Sequence, residues 1–164
     1  MRLNLRKLMT NEVEKSEFSG QIDLSHLDLN GEKPIKEPVR ISGVIENRAG
    51  VISLDAVIEA VLELSCARCE VPLRIERKIP LTHLLAETVQ DEESEDILRV
   101  SDGEIDLTMH IVSAIILNLD MRYLCSEDCK GLCPTCGKNL NEGECGCDHK
   151  EIDPRLSILG KLLN

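Results

Sequence analysis

Three features of the chain predict an α+β fold: a mostly antiparallel β domain with one core helix and a cysteine-rich C-terminal segment. Long period-two runs of Leu, Ile and Val occupy the first half of the sequence. One stretch, near residues 106–119, carries apolar residues at helical spacing. Six of the eight cysteines crowd into residues 125–147. A length of 164 residues suits one ordinary domain with a small appendage. The division read from the sequence is a β-rich domain over 1–124 and a cysteine segment with a short amphipathic helix over 125–164.

The first element is an edge strand within Met1–Leu8, where Leu3 and Leu5 alternate with Asn4 and Arg6, and the polar stretch up to Gly20 reads as loop. Asn30-Gly31, Pro34 and Pro38 punctuate the chain, so the body of the domain begins after Pro38. Val39, Ile41, Val44 and Ile45 lead into a turn at Asn47–Gly50, which predicts a hairpin with the next segment. That segment is ambiguous, because Leu54, Val57, Ile58, Val61 and Leu62 also fit a helical stripe. The alternation of Ile52, Leu54, Ala56, Ile58, Ala60, Leu62 and Leu64 is unbroken, and a long strand is the expectation. Cys66-Ala-Arg-Cys69 then forms the turn before a further alternating run, Val71, Leu73 and Ile75, that continues toward Ile79. Residues 91–96 hold five carboxylates in six positions and must be solvated or face something basic. Asp106 is a suitable N-cap for the core helix, with Leu107, Ile111, Ala114, Ile115 and Asn118 on one face and Met109, Val112 and Ile116 widening it. Asp153-Pro154 starts a tail helix carrying Leu156, Leu159 and Leu163.

Composition narrows the function. Apolar residues at 42% and charged residues at 30% permit a packed core. Phe18 and Tyr123 are the only aromatic residues, so there is no stacking platform for unpaired RNA bases. A net charge of −11 repels phosphate backbones and favours a basic protein partner. The first eighteen residues include charged side chains throughout, and the most apolar stretch, Ile111–Leu119, is less than half of the roughly 20 residues that span a bilayer. A cytoplasmic chain with no membrane contact is expected. In that reducing compartment, closely spaced cysteines point to metal ligands rather than disulfides.

Cys133-Pro-Thr-Cys136-Gly137 has the spacing of a zinc knuckle, since the two intervening residues turn both sulfurs toward one ion and the glycine permits a positive φ. Cys145 and Cys147 can complete a first, structural four-thiolate site. Cys66, Cys69, Cys125 and Cys129 can form a second. A competing partition draws Cys125 or Cys129 into the first site and leaves Cys66 and Cys69 free, and His149 is a spare ligand. Zn2+ is the expected ion, although four cysteines also allow an iron–sulfur cluster. Arg68 would favour a Cys66 or Cys69 thiolate, but flanking strands do not supply the helix N-terminus that a dithiol redox motif needs. The segment Gly131–Lys138 lacks the spacing of a phosphate loop, and His26, His83 and His110 have no serine or cysteine elbow nearby. Neither an enzyme nor a small-molecule substrate is indicated. Arg68, Arg74, Arg77 and Lys78, clustered around the hairpin, are candidates for contact with a partner.

The ordered set of Cys66-Ala-Arg-Cys69, the acidic run, the Glu104-Ile-Asp-Leu107 helix entry, the block Leu124-Cys-Ser-Glu-Asp-Cys-Lys-Gly-Leu-Cys-Pro-Thr-Cys-Gly-Lys-Asn-Leu-Asn141 and Asp153-Pro-Arg-Leu156 resembles the YceD family of large ribosomal RNA subunit accumulation proteins. The resemblance spans nearly the whole chain. It implies a non-enzymatic bacterial factor supporting 23S rRNA accumulation and assembly of the large ribosomal subunit, with a large-subunit ribosomal protein or the 23S rRNA precursor as partner. Some members keep the hairpin pair while lacking most of the C-terminal cysteines, which implies a structural metal here. An acidic, zinc-stapled module that holds a basic protein is the alternative, and a dithiol redox switch is a third reading.

Overall fold

The computed structural model describes residues 1–29, 31–87 and 96–147. The chain divides into two compact units, Met1–Leu64 with Pro72–Met121, and Ser65–Val71 with Arg122–Asn164. The Cys66 and Cys69 pair thus belongs to the same unit as the C-terminal cysteines.

In the first unit, β1 (Arg2–Asn4) and α1 (Arg6–Met9) precede β2 (Lys15–Ile22), β3 (Val39–Arg48), β4 (Val51–Ser65), β5 (Pro72–Ala86), β6 (Ile97–Arg99), β7 (Glu104–Asp106) and α2 (Thr108–Leu117). Strands β2 to β6 form one sheet in sequence order, and β1 pairs with β7 in a separate two-stranded sheet. β2, β3 and β4 are mutually antiparallel. Cys66–Val71 is too short for a crossover, so the β4–β5 pair is antiparallel as well. β6 departs from the expected pattern, since it runs parallel to β5 with Leu84 opposite Ile97. The sheet is therefore mixed.

The β3–β4 hairpin closes on Ala49 and Gly50, at φ 52° and 88°, with Arg48 opposite Val51. Two consecutive positive φ values match the right-handed strand twist. Asn47 secures this corner from a buried position, donating to the Leu8 carbonyl at 2.7 Å while its side-chain oxygen accepts from the Gly50 N–H at 3.0 Å. Farther along, Gly43 faces Ala56, and a Cβ there would lie 2.4 Å from the Asp55 carbonyl oxygen. Only glycine fits that approach.

The ambiguous segment is a strand. Ile52, Leu54, Ala56, Ile58, Ala60 and Leu62 are all buried, and Asp55 and Val57 on the other face are exposed. Residues 15–22 form β2 instead of loop; eight pairs with β3 hold this edge strand despite its polar sequence. At the N-terminus the strand is only three residues long and gives way to α1, whose Leu8 is buried. α2 buries Leu107, Ile111 and Ile115 completely. Each such side chain contributes roughly 1.5–3 kcal/mol of burial free energy. Met109 and Ile116, expected to widen that core face, are instead exposed, as is Leu117. Asp106 accepts from the Thr108 N–H at 2.9 Å, one residue before the cap position, Leu107. The Thr108 hydroxyl, followed by the α-amino group of Met1, holds this carboxyl well below the usual carboxylate range.

Among the described residues no helix is long and apolar enough to cross a membrane. The acidic run except for Asp96, His149 and the expected tail helix from Asp153 lie outside the described residues.

Candidate metal centres

In the second unit the eight cysteines form two groups of four. The sulfurs of Cys66, Cys69, Cys125 and Cys129 lie within 4.8 Å of one another, and so do those of Cys133, Cys136, Cys145 and Cys147. In the first group Cys66 Sγ is 3.8 Å from Cys129 Sγ, and Cys69 Sγ is 3.5 Å from Cys125 Sγ. Four sulfurs about 2.3 Å from a central tetrahedral ion would be about 3.8 Å apart. The first group's spacing is thus close to that of a tetrahedral site, and either donor set could hold a metal ion. All eight cysteines are free of disulfides.

The two Cys-x-x-Cys turns have the same main-chain construction. The Cys66 N–H donates to the Val71 carbonyl at 2.9 Å, and the Glu70 N–H returns to the Cys66 carbonyl at 2.9 Å. In the second turn the Cys133 N–H donates to Lys138 O at 2.8 Å, and the Gly137 N–H returns to Cys133 O at 2.8 Å. The residue after the second cysteine has positive φ in both, 59° at Glu70 and 74° at Gly137. This fold-back turns N–H groups onto the leading sulfur. Thr135 and Cys136 N–H both lie 3.4 Å from Cys133 Sγ, and the Cys125 N–H lies 3.4 Å from Cys66 Sγ. Asn141 adds a side-chain donor 3.3 Å from Cys129 Sγ. The sequence marks the second of these turns with Gly137, whereas the first carries Glu70 at the corresponding position.

These contacts prepare thiolates. The Arg68 N–H, assisted by those of Cys125 and Cys69, brings the Cys66 thiol down to about 6. Burial raises Cys133, but the N–H groups of Cys136 and Thr135 outweigh it and bring that thiol to about 6. The Asn141 amide lowers Cys129, whereas Cys125 is raised chiefly by its contact with Cys129. Cys69 is pushed up to about 12: the Val71 N–H lowers it, but burial and the sulfurs of Cys66, Cys125 and Cys129 prevail. Cys136 and Cys145 raise Cys147 to about 12. Negative charge builds up in each group until further ionisation is resisted, and a divalent cation at the centre would remove that resistance.

The arginine of the first turn is built into the site. Arg68 Nη1 donates to the Cys129 carbonyl at 2.7 Å, and the Arg68 carbonyl accepts the Leu132 N–H at 2.9 Å. Gly131, at φ 77°, passes so close that a Cβ would lie 3.0 Å from Arg68 O. The other three cations named from the sequence lie in the first unit, in ion pairs: Arg74 with Glu37 at 2.8 Å, Lys78 with Glu59 at 2.8 Å, and Arg77 with Asp120.

A cysteine-rich unit able to hold two metal ions, in a chain whose other unit is a mixed α+β sheet domain, is the class of protein these features define. The family model described as large ribosomal RNA subunit accumulation protein YceD matches residues 54–163, and the chain belongs to that family. An uncharacterized protein of Mycobacterium tuberculosis is 41% identical over 102 residues, covering 60% of this chain and 49% of the relative. The chloroplastic large ribosomal RNA subunit accumulation protein YCED homolog 1 of Zea mays is 29% identical over 166 residues, 82% of this chain and 56% of the relative. The uncharacterized protein YlbN of Bacillus subtilis is 29% identical over 166 residues, 99% of this chain and 96% of the relative. The chain thus spans about half the length of the mycobacterial protein. No solved structure matches.

Proposed function

We propose that this protein is a non-enzymatic factor that supports accumulation of 23S rRNA during large-subunit assembly in the bacterial cytoplasm, acting through a large-subunit ribosomal protein. The match to the accumulation-protein family over residues 54–163 carries the reading. The choice of a protein partner over the rRNA precursor follows from charge. A net −11 opposes phosphate contact, and Arg74, Arg77 and Lys78 already neutralise carboxylates of this chain. Each four-cysteine group would hold one Zn2+ as a structural ion, since four thiolates close the coordination shell and leave no position for substrate.

The test is the 23S to 16S rRNA ratio, with gradient profiles of ribosomal particles, in cells depleted of the protein and in cells complemented with it. A selective fall in 23S restored by complementation is the expected result, and an unchanged ratio overturns the reading. Elemental analysis of protein purified without chelator should give two zinc ions per chain. A metal content near zero removes the structural-ion part alone.

A further inference from the structure

α2 carries apolar residues on more than the side it turns to the sheet. Leu107, Ile111 and Ile115 lie in the core, yet Met109 is 68% exposed, Ile116 44% and Leu117 82%. Val112, Ser113 and Ile116 follow Met109 by three, four and seven residues, which lines the four up as one stripe on the side of the helix away from that core. Within the stripe Ser113 is exposed and Val112 half-buried. A helix with apolar residues on opposite sides ordinarily has both covered, and contiguous exposed apolar side chains mark interaction surfaces. The proposed function makes no use of this stripe.

Local charge decides what covers it. Every other helix and strand among the described residues carries at least one charged side chain, whereas α2 carries none over its ten residues. The carboxylates that bracket it are held in ion pairs, Asp106 with Arg2 at 3.6 Å and Asp120 with Arg77. A basic segment would therefore meet no carboxylate on this helix. In a two-fold contact a patch meets its own copy, so any charge on it would face a like charge. The repulsion between two chains of net −11 is screened beyond about 8 Å at physiological salt, and at contact α2 adds none. The helix dipole sets the orientation, because α2 has no acidic side chain in its first turn and no basic one in its last. An antiparallel copy brings each N-terminus beside the other's C-terminus. Met109 of each copy then packs on Ile116 of the other, and the small Ser113 between them lets the backbones approach. A ten-residue helix is about 15 Å long, so a contact confined to it falls short of the roughly 800 Å2 per partner of a standard interface. The pairing should accordingly be reversible and of micromolar strength.

We propose that the outer stripe of α2 is a self-association surface, on which two copies of this chain pair antiparallel through Met109, Val112, Ser113 and Ile116. Self-association does not depend on the ribosomal reading, and an unchanged rRNA ratio would leave it standing. It is tested by sedimentation velocity on the full metal-loaded chain, with reductant to remove disulfide-linked species, over about 1–200 μM. The mass should pass from monomer to dimer and stop there. Raising the salt from about 0.15 M to about 0.5 M should tighten the dimer, because repulsion is the only long-range charge effect to be screened. Met109→Lys and Ile116→Glu, both at exposed positions, should each raise the dissociation constant at least tenfold, with metal content and melting temperature unchanged. An equimolar mixture of the two variants should recover pairing, since the cation introduced in one meets the carboxylate introduced in the other. Val57→Lys, on the open face of β4, should leave the association as it was. Assembly beyond two copies, association undiminished in both folded variants, or a mixture no tighter than its parts overturns the proposal. So does a chain that stays monomeric at about 200 μM, which would leave the stripe to another segment of this chain or to a different protein.

Discussion

The two units are held together by different physics. The first buries Leu, Ile and Val side chains between a sheet and a helix, with Ile41, Leu54, Ile58, Leu62, Ile111 and Ile115 almost entirely hidden from solvent. In the second, the only buried side chains among the described residues are Cys66, Cys69, Cys129 and Cys133. Described residues that bury no aliphatic side chain gain little from the hydrophobic effect, and small units of that kind need a metal or cross-links to hold a shape. In one unit folding energy is spread over many interchangeable contacts. In the other it is concentrated at two points.

The largest effect expected from this contrast is selective loss of the second unit on metal removal. A structural zinc ion contributes on the order of 10 kcal/mol in small zinc modules. A strong chelator should erase amide-exchange protection across Cys125–Cys147 while the strands of the first unit stay protected. Simultaneous collapse of both units would show that the contrast is wrong. Metal uptake must also expel the protons on Cys69 and Cys147, whose thiols are pushed up to about 12. Affinity should therefore fall as pH drops, with proton release visible by calorimetry in buffers of different ionisation enthalpy.

The converse perturbation is Ile111→Ala. Removing a fully buried aliphatic side chain should cost the first unit about 2–5 kcal/mol in denaturant unfolding and leave the metal-to-protein ratio unaltered. A fall in metal content would mean that the units are not energetically separate.

Gly131→Ala should cost about 1–3 kcal/mol, because the new methyl group meets the Arg68 carbonyl and the backbone has positive φ. The loss should be confined to exchange protection in the second unit. Unchanged protection there would show that the Arg68 clasp contributes nothing to the first cysteine group.

The same contrast explains which parts of the molecule are legible in the sequence. Apolar periodicity is the trace left by a hydrophobic core, so the buried face of α2 can be read from Ile111 and Ile115, and β4 from the unbroken period-two run Ile52 to Leu64, although Leu54 and Ile58 by themselves fit a helix as well. β2 cannot, because its partner strand holds it rather than its own burial, and Gly20 interrupts the faint alternation of Phe18 and Ile22. The parallel pairing of β6 is equally silent, since three residues carry no sign of strand direction. In the cysteine unit the ligand types and the knuckle at Cys133 are legible from spacing and Gly137. Which thiols share a centre is not, because counting alone permits several partitions and the chain path decides among them. The exposed outer side of α2 also escapes a sequence reading: Met109 and Ile116 look like core until the helix is placed.

The smallest effect tests the equivalence of the two knuckles. Glu70 and Gly137 occupy the same position in turns with the same hydrogen bonds, yet one is an L-residue with a side chain and the other is not. A left-handed backbone costs a non-glycine residue roughly 1–2 kcal/mol, and glycine gives back about 0.4–1 kcal/mol through its greater freedom in the unfolded chain. Glu70→Gly should therefore stabilise the second unit by about 0.5–1 kcal/mol, and Gly137→Ala should destabilise it by a similar amount. No atom lies within 4 Å of the Cβ that Gly137→Ala would add, so the cost there is purely conformational. Opposite shifts of similar size in the unfolding of the metal-loaded protein are the expected outcome. If Glu70→Gly destabilises instead, the first turn owes its shape to the Glu70 side chain, and the two knuckles are alike in geometry but not in what maintains it.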